Sequence, residues 1–232
     1  MTPSIPATPS PPVVAAFDFD GTLTRGGSVW PFLVAIRGRR RVVIAGLALS
    51  GRLAAAALLG GRHADGAKEA LFRRTLAGLR ADELDIDAAA FGLAHYRAHA
   101  RADVRARLEW HRAEGHRLVI VSASPEPYLV AVGRELRVDA VVATRLAVGP
   151  DGRLTGAYEG ANCRGREKLR RVRRFIEDSS VPGALTTVLW AYGNSDGDRQ
   201  LLAGADVGVD AGRLGRFGAL RSFRRLSDLP RT

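Results

Sequence analysis

The feature that most constrains this chain is a series of short apolar runs separated by helical patterns. The first run, VVAAFDF at residues 13–19, stops at acidic residues and is typical of a buried parallel strand. Helical patterns at residues 102–114 and 126–136 lie between later runs of the same kind. Those runs cover residues 118–121, 140–143, 187–192 and 207–209. This alternation predicts an α/β fold with a doubly wound, mostly parallel sheet.

Residues 25–100 break the alternation, because they show helical periodicity without a convincing strand. This pattern predicts a helical insertion after the first strand. Residues 42–59 within it are apolar and approach the length of a membrane span, but Arg52 and many small residues favour a buried or interfacial helix. Residues 146–160 alternate around Asp151-Gly152, which predicts a β-hairpin.

Charge and composition indicate which partners and which cellular location to expect for this chain. The formal net charge is +11, yet the 35 basic residues include only two lysines and are scattered along the chain. We therefore expect no nucleic-acid partner, and a positive field that attracts anionic substrates. Residues 1–12 are rich in proline, serine and threonine, lack the pattern of a signal peptide, and are predicted to be disordered. With a single cysteine, the chain is expected to be cytoplasmic.

Two aspartates follow the first predicted strand. Asp18 and Asp20 are two residues apart, so they would project to the same side of an extended chain. Gly21 and Thr22 then permit a sharp turn. In a doubly wound sheet the carboxyl ends of the strands line the ligand crevice. We therefore expect both carboxylates to face a functional site.

Four segments in order resemble the signature motifs of the haloacid dehalogenase superfamily. DFDGTLT at residues 18–24 resembles the first motif, and LVIVSAS at residues 118–124 resembles the second. GREKL at residues 165–169 and YGNSDGDRQLL at residues 192–202 resemble the third and fourth. The size and position of the insertion are similar to subfamily IB, which contains the phosphoserine phosphatases. The resemblance implies a Rossmann-like core at residues 13–25 and 101–232, with a C1-type helical cap at residues 26–100.

The resemblance also implies a phosphatase mechanism. Asp18 would be the nucleophile that forms an aspartyl-phosphate, and Asp20 would be the general acid and base. The Ser122 hydroxyl, the Ala123 amide and the Lys168 ammonium group would bind the phosphate. Ser124-Pro125 is interpreted as the start of a helix, with Ser124 as its N-cap.

A magnesium site is implied by the same resemblance. Its ligands would be a carboxylate oxygen of Asp18, the backbone carbonyl of Asp20 and the side chain of Asn194, with Asp198 acting nearby or through water. Many relatives have an aspartate at the position of Asn194, so we expect weaker metal binding here. Asp196 could partly compensate for the missing charge.

The substrate is left open by the sequence. The principal hypothesis is a magnesium-dependent phosphatase for a small phosphorylated metabolite. L-phosphoserine is disfavoured, because residues 25–30 lack the carboxylate with which phosphoserine phosphatases recognise the amine. The alternatives are a membrane-associated phosphatase for a lipid phosphate of the phosphatidylglycerophosphate kind, a phosphoserine phosphatase, and a non-catalytic binding module. Peripheral membrane contact and the oligomeric state are also left open.

Overall fold

A parallel sheet of six strands organises the molecule. The structure is a computed structural model that describes residues 11–59, 61–179, 185–212 and 218–230. The strands are β1 (Val13–Phe17), β2 (Arg117–Pro125), β3 (Ala140–Thr144), β4 (Leu146–Val148), β5 (Leu154–Tyr158), β6 (Val188–Gly193), β7 (Val207–Asp210) and β8 (Arg224–Arg225). The helices are α1 (Val29–Arg37), α2 (Arg39–Ala48), α3 (Ser50–Leu59), α4 (Gly61–Thr75), α5 (Ala81–His99), α6 (Ala102–Ala113), α7 (Glu126–Glu135), α8 (Arg166–Asp178) and α9 (Arg199–Ala203).

The strand order confirms the predicted doubly wound sheet. It runs β3-β2-β1-β6-β7-β8, and every pairing in this sheet is parallel. The central strand β1 lies between β2 and β6, so Phe17 pairs with Ile120 on one side and with Tyr192 on the other. Because the direction of strand addition reverses at β1, the loops after β1, β2 and β6 meet at one edge of the sheet.

The alternation of side chains along β1 divides the core into two layers. Ala15 and Phe17 belong to a large apolar cluster on one face of the sheet. Val14 and Ala16 belong to a second cluster on the opposite face. Successive side chains of a strand point to opposite faces, so a strand that is buried on both faces must be apolar throughout. This requirement explains the VVAAF run.

The first strand is shorter than predicted. It was expected to reach residue 19, but β1 ends at Phe17. The amide of Thr22 donates to the carbonyl of Phe19 at 3.2 Å, and the amide of Leu23 donates to the carbonyl of Asp18 at 3.2 Å. The amide of Asp18 still donates to the carbonyl of Tyr192 at 2.9 Å, and the turn hydrogen bonds then replace the sheet ladder, so both aspartates lie beyond the end of β1.

The predicted helical insertion is present and contains α1 to α5. Its two ends lie side by side, because the amide of Arg25 donates to the carbonyl of His99 at 2.8 Å and the amide of Arg101 donates to the carbonyl of Leu23 at 3.0 Å. The chain therefore leaves the sheet and returns to it at one place. The division into a core at residues 13–25 and 101–232 and a cap at residues 26–100 stays a prediction.

The apolar stretch at residues 42–59 is not the single helix that was expected. It forms α2 and α3, whose axes are bent by 72° around Leu49. In the part of the chain that the structure describes, no single helix is long and apolar enough to span a membrane. Within those described residues, α2 and α3 are the one bent pair that together have the length and composition of a span.

Helix α5 of the insertion packs closely on α7, which follows β2. The contact depends on Gly92, because a Cβ atom at this position would lie 2.4 Å from the carbonyl oxygen of Tyr128. Any side chain there would push the two helices apart. The predicted hairpin is confirmed as the antiparallel pair β4–β5, which packs against α4.

The predicted disordered tail lies mostly outside the described residues, which begin at Pro11. Pro12, assigned to that tail, is placed beside the sheet, because its carbonyl accepts a hydrogen bond of 2.9 Å from the amide of Val188. Disorder of the tail stays a prediction.

Candidate active site

The carboxyl ends of three neighbouring strands bring the predicted site residues to one edge of the sheet. Asp18 directly follows β1, Ser122 lies near the end of β2, and Asn194 directly follows β6. Lys168 reaches the same place from the first turn of α8. The four motifs are far apart in sequence and meet only because their strands are neighbours in the sheet.

Lys168 is at the centre of the site. Its Nζ donates to Oδ1 of Asp18 at 2.6 Å and also to Oδ1 of Asp198. All three side chains are almost completely buried, with 2%, 7% and 1% of the Lys168, Asp18 and Asp198 side chains exposed. The three charges lie in a poorly solvated environment, where the single ammonium group of Lys168 is shared between two carboxylates.

The charge balance shifts the pKa of each member of this group. Burial and the nearby charge of Asp198 raise the pKa of Asp18, and Lys168 opposes this rise. Burial alone would raise the pKa of Asp198, but Lys168 and the hydrogen bonds from Ser195 lower it. Burial alone would lower the pKa of Lys168, but the two carboxylates raise it. The lysine is therefore held in its charged form.

Asp198 organises the loop after β6. Its Oδ2 accepts hydrogen bonds from the amide of Asn194 at 3.1 Å, from the amide of Ser195 at 3.0 Å and from the Ser195 hydroxyl at 2.9 Å. Its Oδ1 binds Lys168. Because both carboxylate oxygens are engaged, Asp198 holds the loop and the lysine in place rather than facing the open cleft.

The amide of Asn194 lies where three oxygen atoms converge. One of its terminal atoms lies 3.2 Å from Oδ2 of Asp18, 2.9 Å from the backbone carbonyl oxygen of Asp20 and 3.2 Å from the Thr22 hydroxyl. If this atom is the amide nitrogen, it donates to these oxygens. If the amide is rotated by half a turn, its oxygen joins the Asp18 and Asp20 oxygens around one point.

Such a set of hard oxygen donors fits a small divalent cation. Among the described residues, no three His, Cys, Asp or Glu side chains form a metal cluster, so the set depends on a backbone carbonyl and an amide. Gly21 allows the side chain of Asn194 to lie close to the loop after β1. Its φ is +81°, and a Cβ atom there would lie 2.2 Å from Nδ2 of Asn194.

Asp20 is held by two donors on the other side of the site. Its Oδ1 accepts a hydrogen bond of 2.9 Å from the amide of Ser28, and its Oδ2 accepts one of 2.6 Å from the Ser124 hydroxyl. The Ser28 hydroxyl lies 2.7 Å from the Tyr128 hydroxyl. This buried network links the start of α1 to α7 and fixes the direction of the Asp20 carboxylate.

The expected role of Ser124 as a helix N-cap is wrong. Strand β2 continues to Pro125, helix α7 begins at Glu126, and no side chain caps this helix. The Ser124 hydroxyl donates to Asp20 instead. A charged carboxylate is a stronger acceptor than a neutral partner, which explains why the hydroxyl turns toward it.

Ser122 and Ala123 lie beside this network. The Ser122 side chain is buried, and its hydroxyl accepts a hydrogen bond of 3.1 Å from the amide of Ser124. The carbonyl of Ala123 accepts a hydrogen bond of 2.8 Å from the Thr144 hydroxyl. Phosphate binding by the Ser122 hydroxyl and the Ala123 amide stays a prediction.

Lys68 was not predicted as a site residue. It extends from α4 of the insertion, and its Nζ donates to the carbonyl of Ala123 and to Oδ1 of Asn162, both at 2.7 Å. Burial lowers its pKa to about 8, while Asp65 and Asp20 oppose the shift. Its only signal in the sequence was that it is one of two lysines among 35 basic residues.

Asp196 lies two residues from Asn194, and its partial compensation for the missing charge there stays a prediction. Its carboxylate pairs with Arg199 at 3.1 Å, and 65% of its side chain is exposed. A cleft of about 600 Å³ opens beside these residues and is lined in part by Asp20, Arg25 and Asn194. Arg25 provides a positive charge at the mouth of the site.

Known proteins resemble the chain over most of its length. The sequence model of the haloacid dehalogenase-like hydrolase family matches residues 15–203. Protein CicA of Caulobacter vibrioides is 36% identical over 195 residues, which is 84% of each protein.

Two solved structures share the fold. A protein of unknown function from Bordetella pertussis superposes with a TM-score of 0.76 at 22% identity, covering 93% of this chain and 98% of that one. A phospho-aspartyl intermediate analogue of phosphoserine phosphatase superposes with a TM-score of 0.56 at 17% identity, covering 87% of each chain.

Proposed function

The chain belongs to the haloacid dehalogenase-like hydrolase family, and from this premise we propose that it is a magnesium-dependent phosphatase acting through an aspartyl-phosphate. The observation that carries the proposal is the buried contact of Lys168 with both Asp18 and Asp198. A structural ion pair does not need a second carboxylate, an amide and a backbone carbonyl directed at the same cleft. A phosphoryl-transfer site does, because its main task is to position and neutralise charge.

Asp18 is the proposed nucleophile. One of its carboxylate oxygens attacks the phosphorus of a phosphate monoester, and the bond between phosphorus and the ester oxygen breaks. A solved structure of similar fold is a phospho-aspartyl intermediate analogue of phosphoserine phosphatase, which supports an intermediate of this kind. Forming the intermediate divides one difficult displacement into two easier ones.

Asp20 is the proposed acid and base. It protonates the departing alkoxide in the first step and removes a proton from the attacking water in the second. That water attacks phosphorus, and the bond to Asp18 breaks. The hydrogen bonds from Ser28 and Ser124 keep the Asp20 carboxylate directed into the site, which a proton donor at this position requires.

Lys168 is proposed to stabilise the phosphoryl group. An ammonium group has three N–H donors, and in this structure two of them serve Asp18 and Asp198. The third can bind a phosphate oxygen. The Ser122 hydroxyl and the Ala123 amide would complete the phosphate site.

The proposed metal ligands are a carboxylate oxygen of Asp18, the backbone carbonyl of Asp20 and the side-chain oxygen of Asn194. Asp198 holds the loop that carries Asn194. Bound magnesium would neutralise phosphate charge and favour the ionised form of Asp18.

A small, amine-free phosphate monoester is the proposed substrate. Several proteins of similar fold are phosphoserine phosphatases. In this chain, however, Arg25 lines the cleft, and residues 25–30 contain no carboxylate that could bind the amine of phosphoserine. An arginine there favours a neutral or acidic leaving group.

Phosphate release across a panel of metabolites tests this proposal. The panel should contain sugar phosphates, phosphoserine, nucleotides and lysophospholipids, each assayed with and without magnesium. We expect magnesium-dependent turnover that Asp18→Asn abolishes, together with hydroxylamine-sensitive labelling of the wild-type protein by a phosphate-labelled substrate. No turnover of any substrate by a folded wild-type protein would favour a non-catalytic binding module.

A further inference from the structure

Large exposed apolar side chains are concentrated in one region of the part of the chain that the structure describes. Six of the nine large apolar side chains exposed by the described residues lie on α1, α2 and α3. They are Trp30, Val43, Ile44, Leu47, Leu58 and Leu59. Leu58 is 85% exposed, Leu47 is 69% exposed and Ile44 is 56% exposed. A concentration of this kind is unusual on a soluble protein surface and marks a place of interaction.

The same three helices lie in a strongly basic segment. Residues 26–64 contain six arginines and no aspartate or glutamate. The arginines are Arg37, Arg39, Arg40, Arg41, Arg52 and Arg62. Across the described part of the chain, every ion pair is formed by other residues, so none of the six is neutralised by a carboxylate.

The arginines also repel one another. Burial lowers the pKa of Arg37, and the nearby charge of Arg41 lowers it further. The Nε atom of Arg37 is buried without a hydrogen-bond partner. An external anion bound beside the exposed arginines would offset this repulsion between guanidinium groups.

We propose that the exposed face of α1–α3 docks on the surface of an anionic lipid bilayer. A bilayer surface offers both features that this face needs, since apolar side chains can enter the acyl boundary while arginines bind lipid phosphates. Trp30 is 44% exposed and of the residue type that is enriched at membrane interfaces. A nucleic acid would satisfy the arginines but would leave Ile44, Leu47 and Leu58 in water.

The bend between α2 and α3 fits docking along the surface. Helix α2 buries Val42, Ala45 and Gly46 against the protein and exposes Val43, Ile44 and Leu47 on its other side. The ring of Trp30 packs over Gly46, where a Cβ atom would lie 3.1 Å from it. The face is therefore part of the folded helical layer.

Vesicle sedimentation with the full chain tests the proposal. We expect binding to vesicles in which about one third of the phosphatidylcholine is replaced by phosphatidylglycerol, little binding to phosphatidylcholine alone, and release at high salt. The substitution pairs Ile44→Asp with Leu47→Asp and Arg40→Gln with Arg41→Gln should each weaken binding at least about tenfold. Two controls should bind like the wild type, namely Ile86→Asp, at a 72% exposed position on α5, and Arg173→Gln with Arg174→Gln on α8.

A second measurement tests docking in the wild-type protein, so it does not depend on whether the variants above fold. Brominated lipid should quench tryptophan fluorescence in the wild type, and Trp30→Phe should remove this quenching, since Trp110 and Trp190 pack against each other elsewhere. Three results would overturn the proposal. They are equal binding to neutral and anionic vesicles, wild-type binding by the Ile44→Asp, Leu47→Asp variant, and a soluble dimer that this variant dissociates without any vesicle binding.

Resistance of the bound protein to alkaline carbonate would also overturn it, in favour of insertion of the α2–α3 pair. Docking is independent of the proposed catalysis. Asp18→Asn should bind vesicles like the wild type, so loss of turnover and loss of docking can be told apart.

Discussion

Lys168 and Asp18 form an ion pair of 2.6 Å in which both side chains are almost completely buried. A buried pair of this kind is costly to break from one side only, because the remaining charge has neither water nor a partner. Asp198 shares the same ammonium group. The site therefore couples the proposed chemistry to the stability of the fold.

Lys168→Met should both inactivate and destabilise the protein. Two buried carboxylates would face each other without a cation, which costs about 3–5 kcal/mol in the free energy of unfolding. Urea denaturation measures this loss. The double variant Lys168→Met, Asp18→Asn should regain part of the stability while remaining inactive, because it has one buried charge fewer. Arg173→Met, at an exposed position of the same helix, is the control and should change stability by less than about 0.5 kcal/mol. A double variant no more stable than the single one would contradict this account.

Asn194→Asp should tighten magnesium binding. The aspartate adds a negative charge beside the Asp18 carboxylate and the Asp20 carbonyl, so the magnesium concentration for half-maximal effect should fall by about tenfold. Without metal, the extra charge should lower the thermal unfolding midpoint, and added magnesium should restore it. Thermal melts across a magnesium titration check both effects without relying on activity. Asp87→Asn, at an exposed acid on α5, is the control and should leave both curves unchanged. A magnesium requirement that rises in Asn194→Asp would show that Asn194 is not a ligand.

Lys68→Met should lower kcat/KM by about tenfold to a hundredfold, because the charge next to residues 122–124 at the end of β2 is lost. The pKa of Lys68 is about 8, so its ammonium group is charged below this pH and neutral above it. Wild-type kcat/KM should therefore decline as pH rises through about 8, and Lys68→Met should lack this decline. Arg73→Met, which removes an exposed charge on the same helix, should keep the wild-type profile. Identical profiles for wild type and Lys68→Met would exclude a role for this charge.

His111 should make the fold sensitive to acid. It is buried between the Tyr192 hydroxyl at 2.8 Å and Nδ1 of His116 at 2.7 Å, and burial lowers its pKa to about 3 from the usual 6.5. Between these values the unfolded chain binds a proton that the folded chain does not. Stability is therefore complete above about pH 6.5 and falls as the pH drops toward 3, by several kcal/mol in all.

Replacing His111 by glutamine tests this point. Glutamine can hydrogen-bond but does not titrate, so His111→Gln should lose less stability than the wild type between pH 7 and pH 5. Urea denaturation at both pH values measures the difference. His63→Gln, at an exposed position, should follow the wild type. Equal losses in wild type and His111→Gln would mean that other groups control acid unfolding.

The sequence by itself determined the sheet and predicted which residues form the centre of the candidate site. The run before Asp18 is apolar at every position because β1 is buried on both faces, and a pattern of this kind is visible without a structure. The hairpin at Asp151-Gly152 was also visible in the sequence, because its alternating pattern and its turn residues are local features. Asp18, Lys168, Asn194 and Asp198 were recognised from motifs whose residues lie close together in sequence.

Only the tertiary structure decided the partners of these residues and the course of the insertion. Ser124 donates to Asp20 across 104 residues, and Lys68 donates to Ala123 across 55 residues. The break at Leu49 and the exposure of Ile44 and Leu47 depend on which helix faces the other elements cover. Local periodicity reports that a side chain prefers burial, but competition among distant elements decides which side chains are buried. Where more apolar surface exists than the fold can cover, as on α1–α3, the sequence pattern alone cannot say which part stays in water.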